Sequence, residues 1–117
     1  MAVGADFLAH AEDLFGGLGR ITTKRMFGGV GLYLGDVIFA IAIDEVLYLK
    51  TDAETRPRFE AAGATPFVYD NPARGPVATS YWSLPDEASD DPDAAQAWAR
   101  LALEAALRKP VGKKRKR

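Results

Sequence analysis

The chain has 117 residues, 48% apolar and 26% charged, which fits one soluble domain around a single core. It has no cysteine and one histidine, His10. This excludes a disulfide scaffold, a thiol nucleophile and a cysteine-bound metal centre, and it argues against catalytic or metal sites that need several histidines. The net charge of −1 conceals an asymmetry. Residues 1–107 carry 8 Lys and Arg against 16 Asp and Glu, whereas residues 108–117 carry 7 basic groups and no acid. An acidic body with a basic tail is the main electrostatic feature.

The first element is a helix over residues 5–16. Phe7, Leu8, Ala11, Leu14, Phe15 and Leu18 keep the 3–4 spacing of one apolar face. Asp6 favours its N-terminal dipole, and Gly16, Gly17 and Gly19 end it. Residues 21–26 read as a polar edge strand. Residues 30–34 and 37–43 flank the turn pair Gly35-Asp36, and residues 46–50 follow a second short turn, Asp44-Glu45. Because 37–43 is apolar throughout, it is expected to be central and covered on both faces. Thr51 or Asp52 caps a second helix to about residue 62, ended by Gly63, with Pro57 disturbing its first turn. A short strand over 67–69 and a loop over 70–76 precede a strand over 77–84. Asp91 and Pro92 start a last helix, with Trp98, Leu101, Ala102 and Ala105 as its buried stripe and Pro110 as its stop.

Hairpin-length connections in the first block favour an antiparallel meander. The expected class is α+β: a two-layer antiparallel sheet with helices packed on it, in the order α-β-β-β(-β)-α-β-β-α. Residues 1–109 are expected to form the domain, and residues 110–117 a basic, disordered tail. No run approaches the ~20 apolar residues of a membrane span. The N-terminus lacks the basic start and apolar run of a signal peptide. Cytoplasmic residence is the expectation.

Met26-Phe27-Gly28-Gly29-Val30-Gly31 does not fit a phosphate cradle. Leu34 stands where a dinucleotide fingerprint needs its third glycine, and no Gly-Lys-Ser/Thr follows. The pattern is better read as a place where small residues let backbones approach, with Met26 and Phe27 in the core. His10 lies at the border of its helix's apolar stripe, with no local base or ligand partner. Asp86, Glu87, Asp90, Asp91 and Asp93 lack the spacing and glycine of a calcium loop, and capping explains them better. No catalytic residue, cofactor or metal ligand is assigned, nor a small-molecule substrate. Lys50, Tyr48 and Asp44 are the best polar groups for an enzyme, but their spacing specifies no nucleophile–base pair.

Arg25 (or Lys24), Tyr48, Lys50 and Tyr81 are the candidate protein-interface residues. Tyr48 and Lys50 share a strand face, and Tyr81 and Trp82 face opposite ways. If one sheet face is open, tyrosines and basic residues there make a contact surface. The alternative is that Tyr48 and Tyr81 are ordinary sheet residues with hydroxyls at the rim. Lys113, Lys114, Arg115, Lys116 and Arg117 are the candidate nucleic-acid contacts, through salt-dependent, sequence-independent phosphate binding. No aromatic residue is interleaved among them for base stacking.

The run Arg25-Met26-Phe27-Gly28-Gly29-Val30-Gly31-Leu32-Tyr33 resembles the N-terminal domain of TfoX/Sxy-type competence regulators. Phe39-Ala40, Leu47-Tyr48-Leu49-Lys50, Phe59-Glu60-Ala61-Ala62-Gly63, Pro66-Phe67, Ser80-Tyr81-Trp82 with Pro85, and Trp98-Ala99 follow in the matching order. The resemblance spans residues 7–108. It implies a two-layer α/β fold like that of secretion chaperones and a bacterial cytoplasmic protein. Full-length relatives act as coactivators, with a cyclic-AMP receptor protein, of genes for DNA uptake. They carry a second domain resembling helix–hairpin–helix modules, a pattern not read in this chain. The expected function is a non-enzymatic regulatory module acting by protein–protein contacts, as a homodimer or with another protein. The alternative is a non-specific nucleic-acid-binding accessory protein acting through its basic tail.

Overall fold

The structure, a computed structural model, describes residues 4–26 and 29–108. Helix α1 (Ala5–Phe15) runs into a 3-10 turn, Gly16–Leu18. Strands β1 (Ile21–Met26), β2 (Gly29–Leu34), β3 (Val37–Ile43) and β4 (Val46–Lys50) follow as a meander. The short helix α2 (Arg56–Ala61), strands β5 (Pro66–Asn71) and β6 (Gly75–Ser83), and helix α3 (Pro92–Leu107) complete the fold. The six strands form one antiparallel sheet in the order β1-β2-β3-β4-β6-β5. The α+β class and the element order agree with the sequence reading.

Alternation builds the core. Val30, Leu32, Ala40, Ala42, Leu47 and Leu49 stand opposite one another in register and are buried on the helix side of the sheet. A bulge at Leu32/Tyr33 lets β3 place two successive residues, Phe39 and Ala40, in that core. Phe39 meets Phe15 of α1 edge to face, with ring centroids 5.3 Å apart. Helix α3 buries Ala95, Ala99, Ala102 and Ala105, and so small a stripe lets it lie close across the sheet. Trp98 and Leu101 are only partly buried, against expectation. Trp98 instead leans on Phe59 at 4.8 Å, and its indole donates to Glu87 Oε2 at 3.3 Å.

Several sequence expectations change in detail. Helix α2 begins at Arg56, because Pro57 can enter a helix only in its first turn. The residues before it form a turn closed by Asp52, whose carboxylate accepts from the amides of Glu54 and Thr55, each at 3.1 Å. The predicted loop over 70–76 is mostly strand, since β5 continues to Asn71 and β6 begins at Gly75. Only the three residues between them turn, held by Asn71 Oδ1 accepting from the amides of Ala73 (2.8 Å) and Arg74 (3.2 Å). The helices cover one face of the sheet, so β3 is not covered on both. Asp91 caps α3 as expected, accepting from the amides of Asp93 and Ala94.

Candidate functional site

Among the described residues, no helix lies over the second face of the sheet. Register places Lys24 and Gly31, Ile41 and Tyr48 in one cross-strand row there, with Tyr33 and Ile38 beside it and Lys50 opposite Tyr81. Phe67 of β5 joins them, its ring 5.2 Å from that of Tyr48. The rings of Tyr33, Tyr48, Phe67 and Tyr81 are all partly exposed, while Ile41 between them is 6% exposed. The aromatic residues thus form the floor of a surface that no described helix covers.

Each of two lysines lies against a tyrosine. Lys24 Nζ is 5.2 Å from the centre of the Tyr33 ring, and Lys50 Nζ is 5.4 Å from that of Tyr81. Lys50 also donates to Ser80 Oγ at 2.9 Å. Burial pushes the Tyr81 hydroxyl above its ordinary pKa, and the nearby Tyr33 adds to the shift. Burial raises Tyr48 too, assisted by the carboxylate of Asp44. Both phenols therefore stay protonated through the neutral range and do not act as bases there. Lys50 and Tyr48 do not converge: one is tied to Ser80 and Tyr81, the other packs on Phe67.

Tyr48, Lys50 and Tyr81 are brought together on this face. Arg25 is not. It stands opposite Val30, a core residue on the helix side, so alternation turns Arg25 away from the open face and gives that place to Lys24. The sequence reading misses Tyr33 and Phe67. Tyr33 was legible as the odd position beside buried Val30 and Leu32, whereas Phe67 depends on the irregular β5 register between Pro66 and Val68. The basic residues Lys113, Lys114, Arg115, Lys116 and Arg117 lie outside the described residues, as does the proposed core position of Phe27. The packing of Met26 falls there as well, since no side chain is described at that position. Gly29 has the close-approach role expected of it. A Cβ there would stand 2.4 Å from the Ala42 carbonyl oxygen and 2.8 Å from Ile43 Cγ1.

Two other features are structural. His10 is exposed, and its Nε2 is 3.0 Å from the Ser89 carbonyl oxygen. It lines a shallow cleft of about 280 Å³ with Phe7, Glu45, Val46, Asp86 and Asp90 among its walls. Among the described residues no group of three or more His, Asp or Glu is placed to hold a metal ion. At the other end of α3, Arg108 makes a two-pronged ion pair with Asp52, at 2.7 and 3.1 Å. That hydrogen bond is the main reason the Asp52 carboxyl is lowered to about 2. Partial burial opposes it, and the amides of Thr55 and Glu54 assist.

No helix among the described residues is long and apolar enough to cross a membrane. The family model of the TfoX N-terminal domain matches residues 13–106. The chain is 38% identical over 66 residues to the DNA transformation protein TfoX1 of Aliivibrio fischeri (strain ATCC 700601 / ES114). That match covers 53% of this chain and 32% of the relative, so the chain corresponds to about a third of the relative's length. With the family model covering most of its length and the relative matching within the same region, the chain belongs to the TfoX N-terminal domain family.

Proposed function

We propose that this chain is a cytoplasmic, non-enzymatic regulatory domain in the control of DNA transformation, acting through protein–protein contacts made by its uncovered sheet face. One observation carries the reading: four aromatic rings and two lysines share a face over which no helix lies among the described residues. Tyrosines with protonated hydroxyls and apolar rings suit contacts that must exclude water and still satisfy polar groups. The link to transformation rests on the family and on the name of the relative.

The test is genetic and physical together. In a host deleted for this gene, wild-type chain restores transcripts of the DNA-uptake genes. A Tyr48→Ala/Tyr81→Ala chain, matched for abundance and shown by circular dichroism to be folded at the assay temperature, loses at least about tenfold of that restoration, as expected when two interface anchors are removed. Full restoration by the double variant rejects the reading.

The concentration of basic residues in 108–117 supports a second reading, non-specific nucleic-acid contact through the tail. Fluorescence anisotropy of labelled duplex and single-stranded DNA separates the two, comparing the full chain with one ending at Lys109. No binding by either near physiological salt favours the protein-contact reading. Binding lost with the tail, and collapsing with salt, favours the second.

A further inference from the structure

The two edges of the sheet are built differently. Strand β1 carries Thr22, Thr23, Lys24 and Arg25 along its length, the polar and charged residues that keep an edge from pairing with another chain. Strand β5, at the opposite edge, reads Pro66-Phe67-Val68-Tyr69, and Asp70 is its one charged residue. Val68 is 47% exposed and Tyr69 is 44% exposed. Alternation sends these two side chains to opposite faces, so both faces of the strand are apolar and wet.

The reason lies in the ladder. Strand β4 pairs with β6 only at Tyr81, Trp82 and Ser83, and the amide and hydroxyl of Thr51 end the contact on the Ser80 carbonyl at 2.8 and 2.7 Å. Beyond that point Val68–Asn71 and Gly75–Ala78 pair only with each other. They form a two-stranded ribbon, closed by the Asn71 turn. Two strands alone are marginal in water without a further strand or a covering layer.

From this we propose that β5 pairs antiparallel with β5 of a second copy of the chain, about a two-fold axis at Val68, joining the two sheets into one. The residues favour a second copy because the strand is self-complementary about that point. Val68 faces its own counterpart. Tyr69 faces Phe67 of the other copy, an aromatic cross-strand pair. Asp70 faces Pro66, so the one charged residue never meets its like in a molecule whose described surface is otherwise acidic. The pairing uses the edge, not the open face, and does not depend on the function proposed above.

Sedimentation of the full chain over about 1–100 µM, a span that brackets micromolar dimers, tests this directly. Wild type reaches twice the chain mass. Val68→Lys sets two like charges opposite each other and weakens association at least about tenfold while the chain stays folded by circular dichroism. Because the chain has no cysteine, Val68→Cys gives a second test that leaves the strand apolar. Under mild oxidation it cross-links to a dimer, whereas Val46→Cys, also exposed (37%) but remote from the edge, does not. Tyr48→Ala/Tyr81→Ala remains dimeric. A monomeric wild type across the range overturns the proposal, as does a folded Val68→Lys chain that still dimerises, or equal cross-linking of the two cysteine variants. Dissociation by the tyrosine double variant alone also overturns it, and moves self-association to the open face.

Discussion

The two faces of the sheet are made from the same strands, yet they differ in kind. The covered face is apolar and dry, with Leu32, Phe39, Ala40, Ala42 and Leu49 fully buried under α1 and α3. The open face carries larger, amphipathic side chains, Tyr33, Tyr48, Phe67 and Tyr81, with lysine ammonium groups held against two of the rings. A face built only to meet water would carry short polar residues and more charge. A face built only for stability would carry a helix. The difference separates residues that hold the fold from residues free to contact something else.

Substitutions can break this contrast or sharpen it. The largest expected effect is on the covered face. Phe39→Ala removes the ring that the bulge directs onto Phe15, and it should cost about 3–5 kcal/mol in chemical denaturation. Tyr81→Ala, on the open face, should cost about 1–2 kcal/mol, since its ring is only partly buried. Equal losses at the two positions would erase the distinction.

Next comes Gly29, which alternation places on the open face. Gly29→Ala sets a methyl group against the Ala42 carbonyl and Ile43. The backbone of β2 must move, at a cost of about 1–3 kcal/mol, and amide exchange in β2 and β3 should quicken with it. Unchanged exchange would mean that the strands do not approach so closely.

The smallest effect concerns the tie between α3 and the turn before α2. Asp52 is held at about 2, below its ordinary value, by Arg108. A lowered carboxylate pKa stabilises the folded state above the unfolded pKa, and that contribution is lost as the pH falls through the folded value. Wild type should therefore exceed Asp52→Asn in stability at neutral pH by a small, salt-sensitive margin, because the pair is partly exposed. The margin should shrink from about pH 4 downward and vanish only below the folded value of about 2. A margin independent of pH would mean that the charge on Asp52 contributes nothing to it.

Much of this was legible in the chain. The 3–4 spacing of Phe7, Ala11, Leu14 and Phe15 marked α1, and Asp91-Pro92 marked the start of α3. Gly35-Asp36 and Asp44-Glu45 gave the two hairpin turns, at positive φ in Gly35 (63°), Asp44 (51°) and Glu45 (63°). These are local signals, in which a few neighbouring residues decide the backbone. The site was half legible. Tyr48 and Lys50 could be placed on one face, because alternation within a strand is local, whereas Tyr81 joins them only through the β4–β6 register. The register sets Arg25 on the face away from these three, which its strand does not reveal, because β1 is polar on both sides and its pattern does not mark which side faces the helices. The β5–β6 strands were read too short, since Asn71, Pro72 and Gly75 resemble a long loop until the cross-strand pairing is known.

The sequence by itself determined the class, the number and order of the elements and the aromatic content of two strands, because periodicity and turn chemistry act over a few residues. Only the tertiary structure decided three things. All the helices lie on one side of the sheet, a bulge turns Phe39 into the core, and β5 and β6 run on past β4 as an uncovered ribbon. Each depends on register between segments far apart in the chain, where a shift of one residue reverses every side chain.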